Sequence, residues 1–219
     1  VFHLAAQPIV RESYRNPIYT YETNVMGTVN VLECIRLSRS VRSAVIITTD
    51  KVYKNNERLW GYRENEPLDG FDPYSNSKSC ADLAVHCYRN SFFKENGPAV
   101  SVARAGNVIG GGDFAVDRII PDCVRAASKG LPIEVRNPFS TRPYQHVQEP
   151  LSAYLLIAEK QWSDRSLSGD YNVGPDDADC LTTGDLVTLF CDKWNESQGL
   201  LPEASWESRA EQNAPHEAN

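Results

Sequence analysis

Tyr74-Ser75-Asn76-Ser77-Lys78 sets a phenol and an amine four residues apart. On a helix that spacing puts both on one face, about 6 Å apart along the axis. A phenol whose pKa is near ~10 is a poor base at neutral pH. Lowering it by about three units takes about 4 kcal/mol, close to what one cation about 4 Å away supplies at an effective dielectric near ~20. Lys78 is that cation if the two act together; with ten tyrosines in the chain, the spacing also arises readily by chance. Its place at the opening of a helix, after a buried strand and a long loop, favours the chemical reading.

A second constellation is Thr48-Thr49-Asp50-Lys51, at the end of a strand-like run. Asp beside Lys offers an acid and an amine that could move protons on and off adjacent carbons; the alternative is a solvated turn. Asn24 lies in a helical stretch, where Asn costs propensity; it is either an exposed position or an amide with a task. Gly110-Gly111-Gly112, after Arg104-Ala105-Gly106-Asn107, either turns the chain or brings N–H groups to a phosphate. Arg136 and Arg142 have the fork that suits a diphosphate, or are ordinary surface arginines. His146 serves either as a structural hydrogen-bonder or as a catalyst.

These groups need elements to hold them. Val1–Ala6 reads as a buried strand. Asn16-Pro17 offers an N-cap and a proline at the first helical position, opening a helix to about Ser38 with Val25, Val29, Leu32 and Arg36 along one stripe. Ser43–Thr49 is a β-branched run of the kind buried on both faces of a parallel sheet. A polar loop over about 54–72 leads to a helix over Tyr74–Glu95, with Ala81, Val85, Tyr88 and Phe92 on its apolar face, and Ala99–Arg104 is a third strand. Strand–helix–strand–helix–strand at these spacings predicts a doubly wound, parallel, Rossmann-like α/β sheet. Beyond Asn107 we expect a short helix at Ile119–Ser128, a strand at Pro132–Arg136 and a helix at Pro150–Gln161 with Leu151, Tyr154, Leu155 and Ala158 inward. A strand at Tyr171–Gly174 and a helix at Thr183–Asn195 follow. The domains expected are 1–106, the second half of a dinucleotide-binding domain, and 107–219, mainly a smaller substrate-binding lobe interleaved with the sheet and laid over its carboxyl edge, where ligands of such folds bind.

The 219 residues are 41% hydrophobic and 23% charged, with net charge −7. That balance excludes a basic footprint for nucleic acid or an anionic membrane surface, and no apolar run is long enough to span a bilayer. Six cysteines and four histidines are dispersed, so no metal site is expected and a reducing cytoplasm is the simplest compartment. Cys34, Cys80, Cys87 and Cys123 fall in helical stretches, where Cys usually packs as a small hydrophobe. A core strand standing at residue 1 and a polar tail over Glu203–Asn219 without a closing helix or strand suggest an internal piece of a longer enzyme.

Together, HLAAQ at 3–7, YETNVMGTVNVLE at 21–33, TTDKVY at 48–53, YSNSK at 74–78, RAGNVIGGGDF at 104–114 and RPYQHVQEPLSAYL at 142–155 carry a resemblance. The chain resembles the extended short-chain dehydrogenases/reductases of the nucleotide-sugar 4,6-dehydratase group. The dTDP-glucose members usually carry Asp-Glu where Asp50-Lys51 stands, so Lys51 points to the CDP-glucose branch, although Phe114 and Tyr144 stand where that branch is expected to have Trp. The resemblance implies an NAD-dependent lyase that converts CDP-glucose to CDP-4-keto-6-deoxyglucose for bacterial deoxysugars and lipopolysaccharide. It assigns Thr49, Asp50, Lys51, Tyr74 and Lys78 to catalysis. Ala5, Ala6, Gln7, Asn24, Thr48, Tyr74 and Lys78 would meet the cofactor, and Asn107, Arg142 and His146 the substrate. It also implies a glycine-rich dinucleotide loop before Val1, so that this stretch alone would be inactive, and a homodimer or dimer of dimers in the whole enzyme. The dimer would form through the two long helices, with Ile35, Leu37, Val85 and Phe93 as apolar residues on more than one face. Another NDP-sugar dehydratase, a 4-epimerase or a decarboxylase of the same superfamily are the competing readings.

Overall fold

The computed structural model describes residues 1–58, 60–197 and 202–209. In chain order the elements are β1 (Phe2–His3), α1 (Val10–Arg15), α2 (Pro17–Tyr21), a π-turn (Glu22–Met26), α3 (Gly27–Leu37), β2 (Ser43–Ile47) and α4 (Pro73–Tyr88), which runs into a π-turn at Arg89–Phe93. There follow β3 (Ala99–Ala105), β4 (Asn107–Ile109), α5 (Ile119–Ala127), β5 (Ile133–Val135), β6 (Thr141–Arg142), β7 (Tyr144–His146), α6 (Gln148–Ser163), β8 (Asp170–Val173), β9 (Leu181–Thr182), α7 (Thr183–Ser197) and β10 (Trp206–Ser208). The described residues divide into two compact units: 1–106 with 147–174, and 107–146 with 175–197 and 202–209.

The first unit is a parallel sheet in the order β1-β2-β3-β8. Successive side chains of a strand point to opposite faces, and both faces are covered here. Ala44, Ile46, Val100 and Val102 pack with Leu32 and Ile35 of α3 and with Val85 and Phe93. On the other face Gln161 of α6 accepts from Ser101 Oγ at 2.5 Å and donates to Ser43 Oγ at 2.9 Å. Helices on both faces make this the expected doubly wound arrangement. The second unit has its own core of Cys123, Ala127, Ile133, Val135, Val187, Cys191 and Ala204. Its strands pair as β4 with β7, β5 with β10, and β6 with β9.

Several expectations are corrected. The inward stripe of the first long helix is Asn24, Thr28, Leu32 and Ile35, one residue off the apolar count, because two polar side chains face a buried hydrogen-bond network. Asn16 makes no side-chain cap, although Pro17 holds the first position; its N–H donates to Glu12 O at 2.8 Å and closes α1 instead. On α4 and its π-turn Phe93 is buried and Phe92 exposed, since the wider turn shifts the register by a residue. On α6 only Tyr154 of the four expected residues is fully buried, beside Gln161, while Leu151 and Leu155 are exposed. Cys34 and Cys87 are exposed rather than packed. A short strand, β10, lies in the tail expected to lack one; residues 210–219 of that tail lie outside the described residues. Among the described residues no helix is long and apolar enough to cross a membrane.

Candidate active site

Helix α4 carries Tyr74 and Lys78, and its start is fixed from several sides. Asp72 caps it, with Oδ1 accepting from Ser75 N at 3.0 Å, and Pro73 takes the first helical position. Gly70 lies so close to the first turn that a Cβ there would come within 2.4 Å of the Ser75 carbonyl carbon, so no other residue fits without moving the helix. Tyr74 N–H donates to Ser13 Oγ at 3.1 Å. One turn on, Lys78 is buried and its Nζ donates to Ile47 O, at the end of β2, at 3.0 Å. Burial alone lowers its pKa to about 8.

Asn24, at the centre of the first π-turn, is 1% exposed and fully engaged. Its Oδ1 accepts from Gln7 N at 2.8 Å, and its Nδ2 donates to Gln7 O at 3.1 Å and Ser77 Oγ at 2.9 Å. Ser77 Oγ in turn donates to Tyr74 O at 2.7 Å. Gln7 spends its side chain internally, accepting from Ile9 N and donating to Thr20 Oγ1; Ala6 is half-buried and Ala5 exposed beside it. The Ala5–Gln7 segment that follows β1 is thus tied to the Tyr74 helix through one amide. His3, on β1, sits 3.2 Å from Thr28 Oγ1. Burial lowers its pKa, and the charge of Lys78 lowers it further.

At the end of β2, Thr49 Oγ1 donates to Asp50 Oδ1 at 2.9 Å and Lys51 Nζ lies 3.7 Å from the same oxygen. Acid and amine are half-buried neighbours on one 3-10 turn, Asp50–Val52. Ser79 of α4 donates to Val52 O at 2.7 Å, so the turn rests on the helix that bears Tyr74 and Lys78. Thr48 points elsewhere: its hydroxyl donates to Asp82 Oδ2 at 3.2 Å.

Sequence reading missed Asp82, Tyr53 and their partner Arg104. A charged residue in a seven-residue strand otherwise made of Ala, Val and Ser was the available signal, because a buried charge needs a partner. Asp82, His86 and Asp170 have ligand atoms within 4.8 Å of one another, but their carboxylates already face Arg104 and Arg89, which compete with any metal ion.

The expected substrate residues lie in the second unit. Asn107 opens β4, its N–H donating to Pro143 O at 3.1 Å; Arg142 ends β6, and His146 ends β7, exposed. Gly112 has φ +85° in the glycine turn, a left-handed conformation that suits glycine. Arg136 Nη1 is 3.4 Å from Asp117 Oδ1.

The family model described as GDP-mannose 4,6-dehydratase matches residues 1–175. CDP-glucose 4,6-dehydratase of Salmonella typhimurium is 48% identical, covering 100% of this chain and 61% of that protein. Among solved structures, dTDP-glucose 4,6-dehydratase of Bacillus anthracis in complex with NAD superposes with a TM-score of 0.75 at 23% identity, over 96% of this chain and 60% of that one. UDP-glucose 4-epimerase of Thermus thermophilus in complex with NAD gives 0.77 at 25% identity, over 95% and 64%. The chain therefore spans about three-fifths of the length of such relatives.

Proposed function

The chain belongs to the GDP-mannose 4,6-dehydratase family, and from that premise we propose that it is part of an NAD-dependent lyase acting on a nucleotide-activated hexose, CDP-glucose. The reaction is oxidation at C4, loss of water across C5–C6 and reduction at C6, which is redox-neutral overall and yields CDP-4-keto-6-deoxyglucose. Residues 1–106 would form the later half of the NAD-binding domain, and 107–219 mainly the substrate lobe.

The donor set fits the cofactor. Lys78 Nζ spends one hydrogen on Ile47 O, and an ammonium has three, so two can face a ribose diol. Bound there, NAD supplies hydride acceptance and return. Ala5, Ala6, Gln7 and Asn24 would line or support that site, and Thr48 would bear on it only through its bond to Asp82 of the same helix. Tyr74 takes the proton of the 4-hydroxyl, its phenolate favoured by the Lys78 charge. Thr49 hydrogen-bonds the same hydroxyl. Lys51 removes the C5 proton once deprotonated, and Asp50 gives its proton to the departing 6-hydroxyl. Asn107, Arg142 and His146 meet the nucleotide diphosphate and sugar.

The observation that carries this reading is Asp50 and Lys51 side by side on the turn that Ser79 ties to the Tyr74 helix. Oxidation alone needs no such pair, and an epimerase has no water to expel. A cytoplasmic homodimer completes the proposal, formed through the long helices, whose exposed faces carry Ile18, Met26, Leu37, Leu83 and Phe92. The test is mass spectrometry of the sugar after incubating the full protein and NAD with CDP-, UDP-, dTDP- or GDP-glucose. Loss of one water, fastest with CDP-glucose, is the expected result; an unchanged mass with inverted C4 would replace the reading with an epimerase.

A further inference from the structure

Arg104 is 1% exposed on β3 and its guanidinium meets four elements. Nε and Nη2 donate to the two oxygens of Asp82 at 2.8 and 2.9 Å, a bidentate pair. Nη1 donates to Tyr53 Oη at 2.7 Å and to Glu64 O, in the 54–72 loop, at 2.8 Å. Nη2 also lies 3.7 Å from Asp170 at the start of β8. Tyr53 Oη in turn donates to Asn172 Oδ1 at 2.6 Å.

The arrangement has a direction. Asp82 also accepts from Thr48, the residue before Thr49, and Tyr53 is the residue after Val52. The Arg104–Asp82 pair thus holds both ends of the segment bearing Thr49, Asp50 and Lys51. Asp82 is also four residues after Lys78 and eight after Tyr74 on α4, so it shares their helix face. We propose that Arg104, acting through Asp82 and Tyr53, is a positioning residue that sets the Asp50–Lys51 turn against the Tyr74–Lys78 helix, and so couples sugar oxidation to water loss. It touches no reacting atom itself. The proposal rests on the dehydratase reading above, and a misplacement of about 1 Å in such a constellation costs up to about 100-fold in rate.

Removing Arg104 outright would take the guanidinium from buried Asp82 and leave it only Thr48 and His86, which is strongly destabilising. The informative variant is Tyr53→Phe, which deletes one hydroxyl and keeps the ring stacked on Tyr62, 5.4 Å between centroids at 11°; Arg104→Lys, which keeps the charge and loses the fork, is its companion. In the full protein, Tyr53→Phe is expected to slow dehydrated product by about 10- to 100-fold with little change in KM, while the oxidised but undehydrated 4-keto hexose accumulates in quenched samples. A purely structural role would scale both products together. Hydrogen–deuterium exchange supplies a readout independent of turnover: the Val52 and Lys54 amides, now donating to Thr49 O and Pro67 O, should exchange about tenfold faster while α4 is unchanged. An unaltered product ratio in an active parent overturns the proposal. If the parent dehydrates none of the sugar nucleotides, the dehydratase reading falls, and the exchange data alone decide whether Arg104 holds the turn: local loosening supports it, and no change overturns it.

Discussion

Asn24 and Ser77 meet at 2.9 Å, joining two helices 53 residues apart in sequence. Through that contact Gln7, in the segment that follows β1, and the backbone of Tyr74 share one buried amide. Asn24→Ala strips partners from Gln7 N, Gln7 O and Ser77 at once. Each buried group left unpaired costs about 1–3 kcal/mol, with relaxation and water recovering part. The expected loss is about 2–4 kcal/mol in urea denaturation, with a midpoint shift and an unchanged slope.

Lys78 works against the fold. Its pKa of about 8, against 10.5 for the free side chain, means that the folded state resists carrying the charge. Below pH 8 both states are protonated and the penalty is complete; as pH rises from 8 to 10.5 the unfolded chain alone keeps the proton, so stability rises. Lys78→Met should therefore abolish turnover yet raise stability at pH 7 by about 3 kcal/mol, the worth of 2.5 pKa units. The gain over the parent should fade above pH 10. A variant less stable than the parent at pH 7 would contradict this.

His3 titrates with the same sign, in a more acidic window. Burial and the nearby Lys78 lower its pKa below 6.5, so the unfolded chain takes up a proton first as the solution is acidified. Stability attributable to His3 is intact above pH 6.5 and falls as pH drops through the folded-state value. In a His3→Gln variant the stability profile between pH 6.5 and pH 4.5 should be flatter than the parent's, as thermal melts across that range would register.

Asp50→Asn separates two chemical steps. The amide keeps the shape but has no acidic proton to give. On adding CDP-glucose to the full protein, the reduced-nicotinamide absorbance should still rise, whereas 4-keto-6-deoxy product should form about 100- to 10,000-fold more slowly. Tyr74→Phe should suppress both signals. Product formed by Asp50→Asn at the parental rate would remove Asp50 from the acid's role.

Assembly gives a further check. Ile35, Val85 and Phe93, expected as outward apolar residues, lie in the core, so the proposed dimer would use the exposed Ile18, Met26, Leu37, Leu83 and Phe92 instead. Met26→Glu with Leu83→Glu should halve the mass of the full protein by light scattering at micromolar concentration and leave its circular dichroism unchanged.

The central strands were readable from sequence because burial on both faces leaves continuous apolar runs, as at Ser43–Ile47, whereas the run at Val1–Ala6, read as a buried strand, forms only Phe2–His3 at the sheet edge with Val1, Phe2 and Leu4 exposed. The Tyr74–Lys78 and Asp50–Lys51 pairs were readable because spacing alone sets their proximity. What escaped was whatever depends on a distant partner. Asn24 and Thr28 broke the apolar stripe because their partners, Gln7, Ser77 and His3, come from other elements. Phe92 and Phe93 exchanged places because a π-turn has no simple sequence mark. Arg104 was visible as an oddity in a buried strand, but nothing local named Asp82 as its counter-ion.

Strands β3 and β8 are neighbours in the sheet, yet Gly169 N–H reaches Ser101 Oγ across 68 residues of chain. Closing a loop of that length costs about 1.7 kcal/mol more than closing one of ten residues, and slows the search for the register. During synthesis β1, β2 and α4 can therefore associate well before β8 emerges. Until it does, Tyr53 lacks Asn172, and His86 and Arg89 lack Asp170. The nascent sheet thus has an open edge, and we expect refolding from urea to show a slow phase, reported by Tyr53 and Tyr171, which substitutions in α6 and β8 lengthen and those in β1 leave alone.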